Sequence, residues 1–175
     1  MLYTGVKLGS PVAVRYPRGN GLGVPLDPEL KELPIGKSEI VRNGADALII
    51  GFGPITANAL TAASILSKEY GIECAVVNAR FAKPLDSDLL SKELPKYDVI
   101  CTVEDHAIAG GFGSAVLEFV NDSRLQLKSG IKRFGVEDSF VPHGSQGEQH
   151  KLNRYDPLSI VEHIKSNLQL KQKVA

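Results

Sequence analysis

Two arginines near the beginning of the sequence have the side chain and the spacing needed to bind an anion. Arg15 and Arg18 lie at the end of an apolar run at residues 11–16, and a glycine-rich segment follows them. A guanidinium group forms paired hydrogen bonds with phosphate or carboxylate oxygens, and glycines let a ligand approach the backbone closely. A salt bridge or a linker anchor would need the same residues, so spacing alone leaves both interpretations open.

A carboxylate and an imidazole stand together at Glu104-Asp105-His106, directly after an apolar run predicted to be a strand. Ligands of open α/β sheets bind beyond the carboxyl ends of strands, and a carboxylate beside an imidazole can transfer protons. The same residues could instead cap the following helix and hold a loop or a subunit contact. Because no nucleophile or set of metal ligands accompanies them, we favour this anchoring role and expect no metal site.

Two glycine-rich turns, Gly51-Phe-Gly-Pro54 and Gly110-Gly-Phe-Gly113, precede predicted helices. Neither has the spacing of the dinucleotide-binding fingerprint, and tight turns with close helix-to-sheet packing explain both. His143 has a serine nearby but lacks the third group of a hydrolytic triad. We interpret His143 as an anchor for a loop or an interface. His150 and His163 are interpreted as solvated.

Apolar runs that alternate with amphipathic helical patterns predict an α/β domain from residue 45 onward. Such alternation favours a mostly parallel sheet with helices on both faces. The segment at residues 38–42, followed by the Asn43-Gly44 turn signal, is predicted to be an antiparallel edge strand. The other predicted strands are residues 11–16, 47–52, 72–77, 99–103 and 131–136, and the predicted helices include residues 54–70, 86–94 and a last one that begins at Asp156-Pro157.

The pattern divides the chain into four parts. Residues 1–18 would be a helix and the last strand of a domain whose earlier part is missing, and residues 19–36, rich in glycine and proline, would be a linker. Residues 37–170 form the α/β domain, and residues 171–175 are expected to be a disordered tail.

Composition excludes several classes of protein. Twenty basic residues balance twenty acidic ones, which argues against nucleic-acid binding through bulk charge. No apolar run approaches the roughly 20 residues that span a bilayer. Cys74 and Cys101 both lie in apolar runs, so we expect buried, reduced thiols in a cytoplasmic protein.

The segment Val12-Ala-Val-Arg-Tyr-Pro-Arg-Gly-Asn20 resembles the end of the pyrimidine-binding domain in 1-deoxy-D-xylulose-5-phosphate synthases. The resemblance extends over almost the whole chain, to about residue 165. Its other motifs are Leu33-Pro-Ile-Gly-Lys37, Gly51-Phe-Gly53, Asn78-Ala-Arg-Phe-Ala-Lys-Pro-Leu-Asp86, Thr102-Val-Glu-Asp105, Gly110-Gly-Phe-Gly-Ser114 and Phe140-Val-Pro-His-Gly-Ser145.

The resemblance implies a fold like the transketolase C-terminal domain, preceded by a remnant of the pyrimidine-binding domain. It also implies a parent enzyme that uses thiamine diphosphate and Mg²⁺ to join pyruvate and D-glyceraldehyde 3-phosphate into 1-deoxy-D-xylulose 5-phosphate with loss of CO₂. In that family the arginine matching Arg18 contacts the phosphate of glyceraldehyde 3-phosphate. The groups that bind and activate the cofactor lie upstream, so we expect no catalytic residue and no bound cofactor or metal here.

The expected partners are the rest of the parent chain and a second subunit of a homodimer. The chain alone is expected to be inactive and to support assembly. Two alternatives remain open: a C-terminal part of a transketolase or of a 2-oxo acid dehydrogenase β chain, and a stand-alone α/β interaction module. The irregular glycine spacing disfavours a free nucleotide-binding domain.

Overall fold

The computed structural model describes residues 1–17, 21, 23–25 and 28–172, with short 3₁₀ turns at Gly53–Ile55 and Leu94–Lys96. Within these residues the strands are β1 (Glu39–Arg42), β2 (Ala47–Phe52), β3 (Cys74–Asn78), β4 (Ile100–Ala107) and β5 (Ile131–Val136). The helices are α1 (Leu2–Lys7), α2 (Thr56–Tyr70), α3 (Ser87–Glu93), α4 (Phe112–Asp122), α5 (Gln146–Leu152) and α6 (Pro157–Gln172).

The strands form one sheet in the order β1-β3-β2-β4-β5. Strands β2 to β5 run parallel, and β1 pairs antiparallel with β3 at one edge, which confirms the predicted edge strand. The predicted tight turn that would join β1 to an adjacent next strand is wrong. Strand β2 follows β1 in the sequence, but β1 pairs with β3 and not with β2. Gly44 lies against the backbone of Cys74 and Ala75, where a side chain would collide with the main chain, so the chain crosses the start of β3 before entering β2.

Two apolar cores lie on opposite faces of the sheet, which confirms helices on both faces. Side chains of β2 alternate between them: Ile49 packs towards α2 and α6, and Ile50 packs towards α3 and α4. Each buried strand therefore presents apolar groups on both sides, as its continuous apolar sequence predicts. No helix within the described ranges is long and apolar enough to cross a membrane.

Three segments differ from the prediction. Residues 11–17 form no strand; most of their side chains are exposed, and they pair with no edge of the sheet. Helix α5 was not predicted, although the capping box of Ser145 and Glu148 defines its start. Helix α6 continues through Gln172, whereas the predicted disordered tail began at residue 171; residues 173–175 lie outside the described part.

Candidate functional site

The carboxyl end of β4 carries the acidic pair and the histidine singled out from the sequence. The strand includes Glu104, Asp105 and His106 instead of ending before them, because a register shift between Val103 and Ala107 lets its pairing with β5 resume further on. Such an irregularity turns neighbouring side chains in new directions. The three side chains consequently have three different surroundings.

Glu104 holds the first turn of α4. Its carboxylate oxygens accept hydrogen bonds from the backbone N–H of Phe112 at 2.7 Å and of Gly113 at 2.8 Å, and the residue is 1% exposed. These N–H groups have no partner inside the helix, and the positive end of the helix favours the negative charge. Both oxygens of Glu104 are occupied by the protein itself, so this carboxylate anchors α4.

The turn before α4 is packed tightly around this carboxylate. A side chain at Gly111 would collide with the carboxylate of Glu104 and the carbonyl of Ala107. From β5, Arg133 Nη1 donates to the carbonyl of Ile108 at 2.6 Å and to Ser114 Oγ at 2.8 Å. The glycines of the turn at residues 110–113 thus allow close packing. Glu104 of β4 and Arg133 of β5 both hold this turn in place.

Asp105 accepts a hydrogen bond from a buried tyrosine on the other side of β4. Tyr155 Oη donates to Asp105 Oδ1 at 2.9 Å, and Tyr155 is only 2% exposed. Burial, followed by the bond and the negative charge of Asp105, raises the pKa of Tyr155 well above its usual range. Tyr155 therefore remains protonated and keeps donating to Asp105 over the ordinary pH range.

His150 stands beside this pair and is not solvated, contrary to the sequence interpretation. Asn58 Nδ2 lies 3.2 Å from His150 Nδ1; because an amide N–H donates, the neutral ring carries its proton on Nε2. That Nε2 lies 3.9 Å from Asp105 Oδ1. Here we define the Asp105 cluster as Asn58, Asp105, His150 and Tyr155, which joins α2, β4, α5 and the residues before α6.

His163 is not solvated either. Its ring stands edge-on to Phe134, with ring centroids 5.6 Å apart, and Asn167 Nδ2 lies 3.3 Å from its Nδ1. Burial, together with the nearby charge of Lys132, lowers the pKa of His163. This histidine belongs to the packing between α6 and the sheet.

One of the two candidate anion-binding arginines reaches the Asp105 cluster. Arg15 Nη2 donates to the backbone carbonyl of Asp105 at 3.1 Å, across 90 positions of sequence. Arg18 lies outside the described residues. Arg15 therefore has the anchoring role that was one of its two open interpretations.

The remaining candidates lie at the surface. The exposed His106 places Nδ1 3.1 Å from the carbonyl of Ala107. His143 is exposed in the loop between β5 and α5, and in the same loop the ring of Phe140 is fully exposed. The structure thus brings Asp105 together with Arg15, and it leaves His143 and Phe140 open to a partner surface.

The polar side chains at this end of the sheet hold protein segments together by hydrogen bonds. Burial raises the pKa of Cys74 to about 12 and that of Cys101 further still, so neither thiol is a ready nucleophile. Among the described residues no group of three His, Cys, Asp or Glu side chains could hold a metal ion. Glu104 and the Asp105 cluster fasten a helix, a loop and the amino-terminal segment to one edge of the sheet.

Comparisons with protein families and with curated proteins identify similar proteins for almost the whole chain. The family described as "Transketolase, C-terminal domain" matches residues 36–160. The chain is 45% identical to a 1-deoxy-D-xylulose-5-phosphate synthase of Halothermothrix orenii over 93% of its own length and 25% of the relative. It is 44% identical to a synthase of that name from Geobacillus thermodenitrificans over 100% of its length and 28% of the relative.

Among solved structures, one described as a split gene transketolase, inactive beta4 tetramer, superposes with a TM-score of 0.69 at 29% identity. The match covers 85% of this chain and 47% of that one. This chain spans about a quarter of the length of the curated relatives it matches.

Proposed function

The chain belongs to the transketolase family through its C-terminal domain, and we propose that it is the C-terminal part of a 1-deoxy-D-xylulose-5-phosphate synthase. The observation that carries this proposal is its identity of 43% to 50% with curated synthases, over 83% to 100% of the chain. We place the enzyme in the cytoplasm, since buried free thiols fit a reducing compartment.

The proposed reaction of the whole enzyme joins pyruvate to D-glyceraldehyde 3-phosphate. The bond between C1 and C2 of pyruvate breaks and releases CO₂. The remaining two-carbon unit forms a bond to the aldehyde carbon of the second substrate, and one proton is taken up at the new hydroxyl. The product is 1-deoxy-D-xylulose 5-phosphate, and no external oxidant or reductant is needed.

Thiamine diphosphate, which the family implies for the parent, supplies the electron sink for such a decarboxylation, with Mg²⁺ as its proposed metal. Among the described residues no group of three His, Cys, Asp or Glu side chains could hold that metal ion, and we propose that the cofactor and its metal are held by other parts of the enzyme. The carboxylate of Glu104 is already bound to backbone N–H groups. We therefore assign no step of the chemistry to the described residues.

The proposed role of this chain is to support assembly of the enzyme with a second subunit. The related split gene transketolase chain forms, in the words of its description, an inactive beta4 tetramer, so a chain with this domain can associate with itself. At the carboxyl edge of the sheet Phe140 is fully exposed and Val141 is 36% exposed. Burial of such a ring in an interface is favourable, and a second copy is the occupant we propose.

The proposal is tested by assaying and sizing the 175-residue chain. With thiamine diphosphate, Mg²⁺ and both substrates we expect no synthase turnover, and multi-angle light scattering should show a concentration-dependent dimer or larger assembly. Turnover by this chain would contradict the assignment of the chemistry to other parts of the enzyme. A strictly monomeric chain at high concentration would contradict the assembly role.

We also propose that Arg18 binds the phosphate of glyceraldehyde 3-phosphate in the whole enzyme. In the full-length synthase Arg18→Ala should raise KM for this substrate by at least about tenfold, the equivalent of one charged hydrogen bond. KM for pyruvate should change little. Equal effects on both substrates would count against a phosphate role.

A further inference from the structure

We infer that the chain binds a small α-amino acid with an apolar side chain, in a cavity at the β1 edge of the sheet. The cavity measures about 500 Å³, within the roughly 300–1,000 Å³ of small-molecule sites. It lies beside the amino-terminal end of β2, between the sheet and the segment that runs from the end of α3 to Tyr97. Because β2 and β4 are parallel, the cavity and the Asp105 cluster lie at opposite ends of the sheet, and the inference does not rest on the proposed function.

The sheet gives the cavity an apolar base. Side chains from β1, β2 and β3 line it: Ile40, Leu48, Ala75 and Val77. Ile40 remains 41% exposed, whereas the other three are buried. An aliphatic side chain of a ligand would therefore cover Ile40 and remove apolar surface from water.

A buried carboxylate supplies the group that an ammonium would bind. Glu93 lines the cavity and is only 5% exposed, and its Oε1 accepts a hydrogen bond from Lys96 Nζ at 2.7 Å. Within the described part of the chain Oε2 has no hydrogen-bond partner, and it is not one of the fully enclosed polar atoms. Since a carboxylate accepts at both oxygens, Oε2 can still accept from a donor inside the cavity.

A lysine next to this carboxylate supplies the group that a ligand carboxylate would bind. Lys92 also lines the cavity, and among the described residues its ammonium makes no hydrogen bond or ion pair. An α-amino acid carries its ammonium and its carboxylate on one carbon, which suits two neighbouring residues of opposite charge. The charges of the complex would then alternate in sign, in the order Lys96, Glu93, ligand ammonium, ligand carboxylate and Lys92.

The same charges disfavour two simpler ligands. A carboxylic acid without an ammonium leaves Oε2 of Glu93 without a donor and places a second negative charge near it. An amine without a carboxylate adds a third positive charge beside Lys92 and Lys96. Like charges at such short range repel each other, and more strongly in a partly buried site than in water.

The walls of the cavity are held in place without a ligand. Tyr97 Oη donates to the carbonyl of Gly44 at 3.1 Å, and a side chain at Gly44 would collide with the backbone of Cys74. On the other wall, Lys128 Nζ donates to the carbonyl of Lys96 at 2.8 Å. A site that is already formed loses less free energy to ordering when a ligand binds.

The test is an NMR titration of the 175-residue chain with three probes of similar shape. L-leucine carries both charged groups, 4-methylpentanoate lacks the ammonium, and L-leucinamide replaces the carboxylate by a neutral amide, as at the amino terminus of a peptide. We expect L-leucine to shift the amide signals of Gly44, Ala45 and Glu93 with a Kd of about 1–10 mM, as the size of the ligand implies. Each of the other probes should bind at least about tenfold more weakly, because one charged hydrogen bond is lost.

Two variants assign the charged groups of the ligand to their partners. Lys92→Gln should weaken L-leucine about tenfold and leave L-leucinamide unchanged, since only the carboxylate contacts Lys92. Glu93→Gln should weaken both probes, with circular dichroism as the check that the variant is folded. The matched control is Lys68→Gln, an exposed lysine on α2 at the other face of the sheet, which should change neither affinity.

Each other outcome overturns the inference. Absence of a saturable shift at these amides would show that the cavity binds no such ligand. Equal binding of 4-methylpentanoate would exclude a contact between Glu93 and an ammonium, and equal binding of L-leucinamide would identify a site for amines or peptide amino termini. An unchanged affinity of Lys92→Gln for L-leucine would exclude the carboxylate contact.

Discussion

Replacement of Glu104 by glutamine removes one of two buried hydrogen bonds and leaves the shape of the side chain intact. The carboxylate accepts from two N–H groups at 2.7 and 2.8 Å, whereas an amide has a single oxygen and turns its NH₂ group towards one of these donors. One bond to a charged group is lost, as is the attraction to the positive end of α4. Together these cost about 2–4 kcal/mol of unfolding free energy, or roughly 5–15 °C in Tm for a chain of this size.

Urea unfolding of the 175-residue chain, followed by far-UV circular dichroism, measures this loss. Glu118→Gln is the matched control, because it is the same change of residue type at an exposed position of α4, the helix that Glu104 anchors. This variant should change the unfolding free energy by less than about 0.5 kcal/mol. The reasoning would be refuted if the two variants unfolded at the same urea concentration.

Three further predictions concern other parts of the chain. Burial, together with the nearby charge of Lys132, lowers the pKa of His163, so the unfolded chain takes up this proton at a higher pH than the folded chain does. The resulting stability is fully present above the pKa of an unfolded histidine, about 6.5, and is lost as the pH falls through that value towards the lower pKa of the folded state. His163→Gln should flatten this loss of unfolding free energy in urea titrations at several pH values, and an unchanged pH dependence would contradict it. Phe140→Ser should weaken self-association, measured by light scattering, by about tenfold or more, and it should not lower Tm because the ring is exposed in the single chain. The control Leu158→Ser, which replaces an exposed leucine on α6, should leave association unchanged. Equal effects of the two substitutions would disprove an interface at Phe140. Cys74 and Cys101, with pKa values raised by burial, should react with a thiol reagent only as fast as the chain unfolds, and rapid labelling of the native chain would contradict their burial.

The central part of the fold could be predicted from the sequence because local patterns and tertiary packing agree there. The continuous apolar run of β2 requires cover on both faces. Gly71 ends α2 in the left-handed conformation with φ 66°, which glycine adopts easily. Asp86 accepts from the N–H of Leu89 at the start of α3, as its position before the helix predicts.

The Asp105 cluster could not be predicted, because its contacts depend on the folded arrangement. Tyr155 meets Asp105 across 50 positions and Asn58 meets His150 across 92, and no local pattern marks such pairs. The strand predicted for residues 11–16 is absent for a related reason, because a segment of high strand propensity forms a strand only where a neighbouring strand can pair with it. Helix α5 was detectable, since Ser145 and Glu148 have the spacing of a capping box.

The most direct test of the central claim is the donor specificity of the full-length protein that contains this chain. Purified with thiamine diphosphate and Mg²⁺, it should consume pyruvate and D-glyceraldehyde 3-phosphate and release one CO₂ for each 1-deoxy-D-xylulose 5-phosphate formed. It should not transfer a two-carbon unit from xylulose 5-phosphate to ribose 5-phosphate. Transfer between these sugars without CO₂ release would identify a transketolase and contradict the assignment.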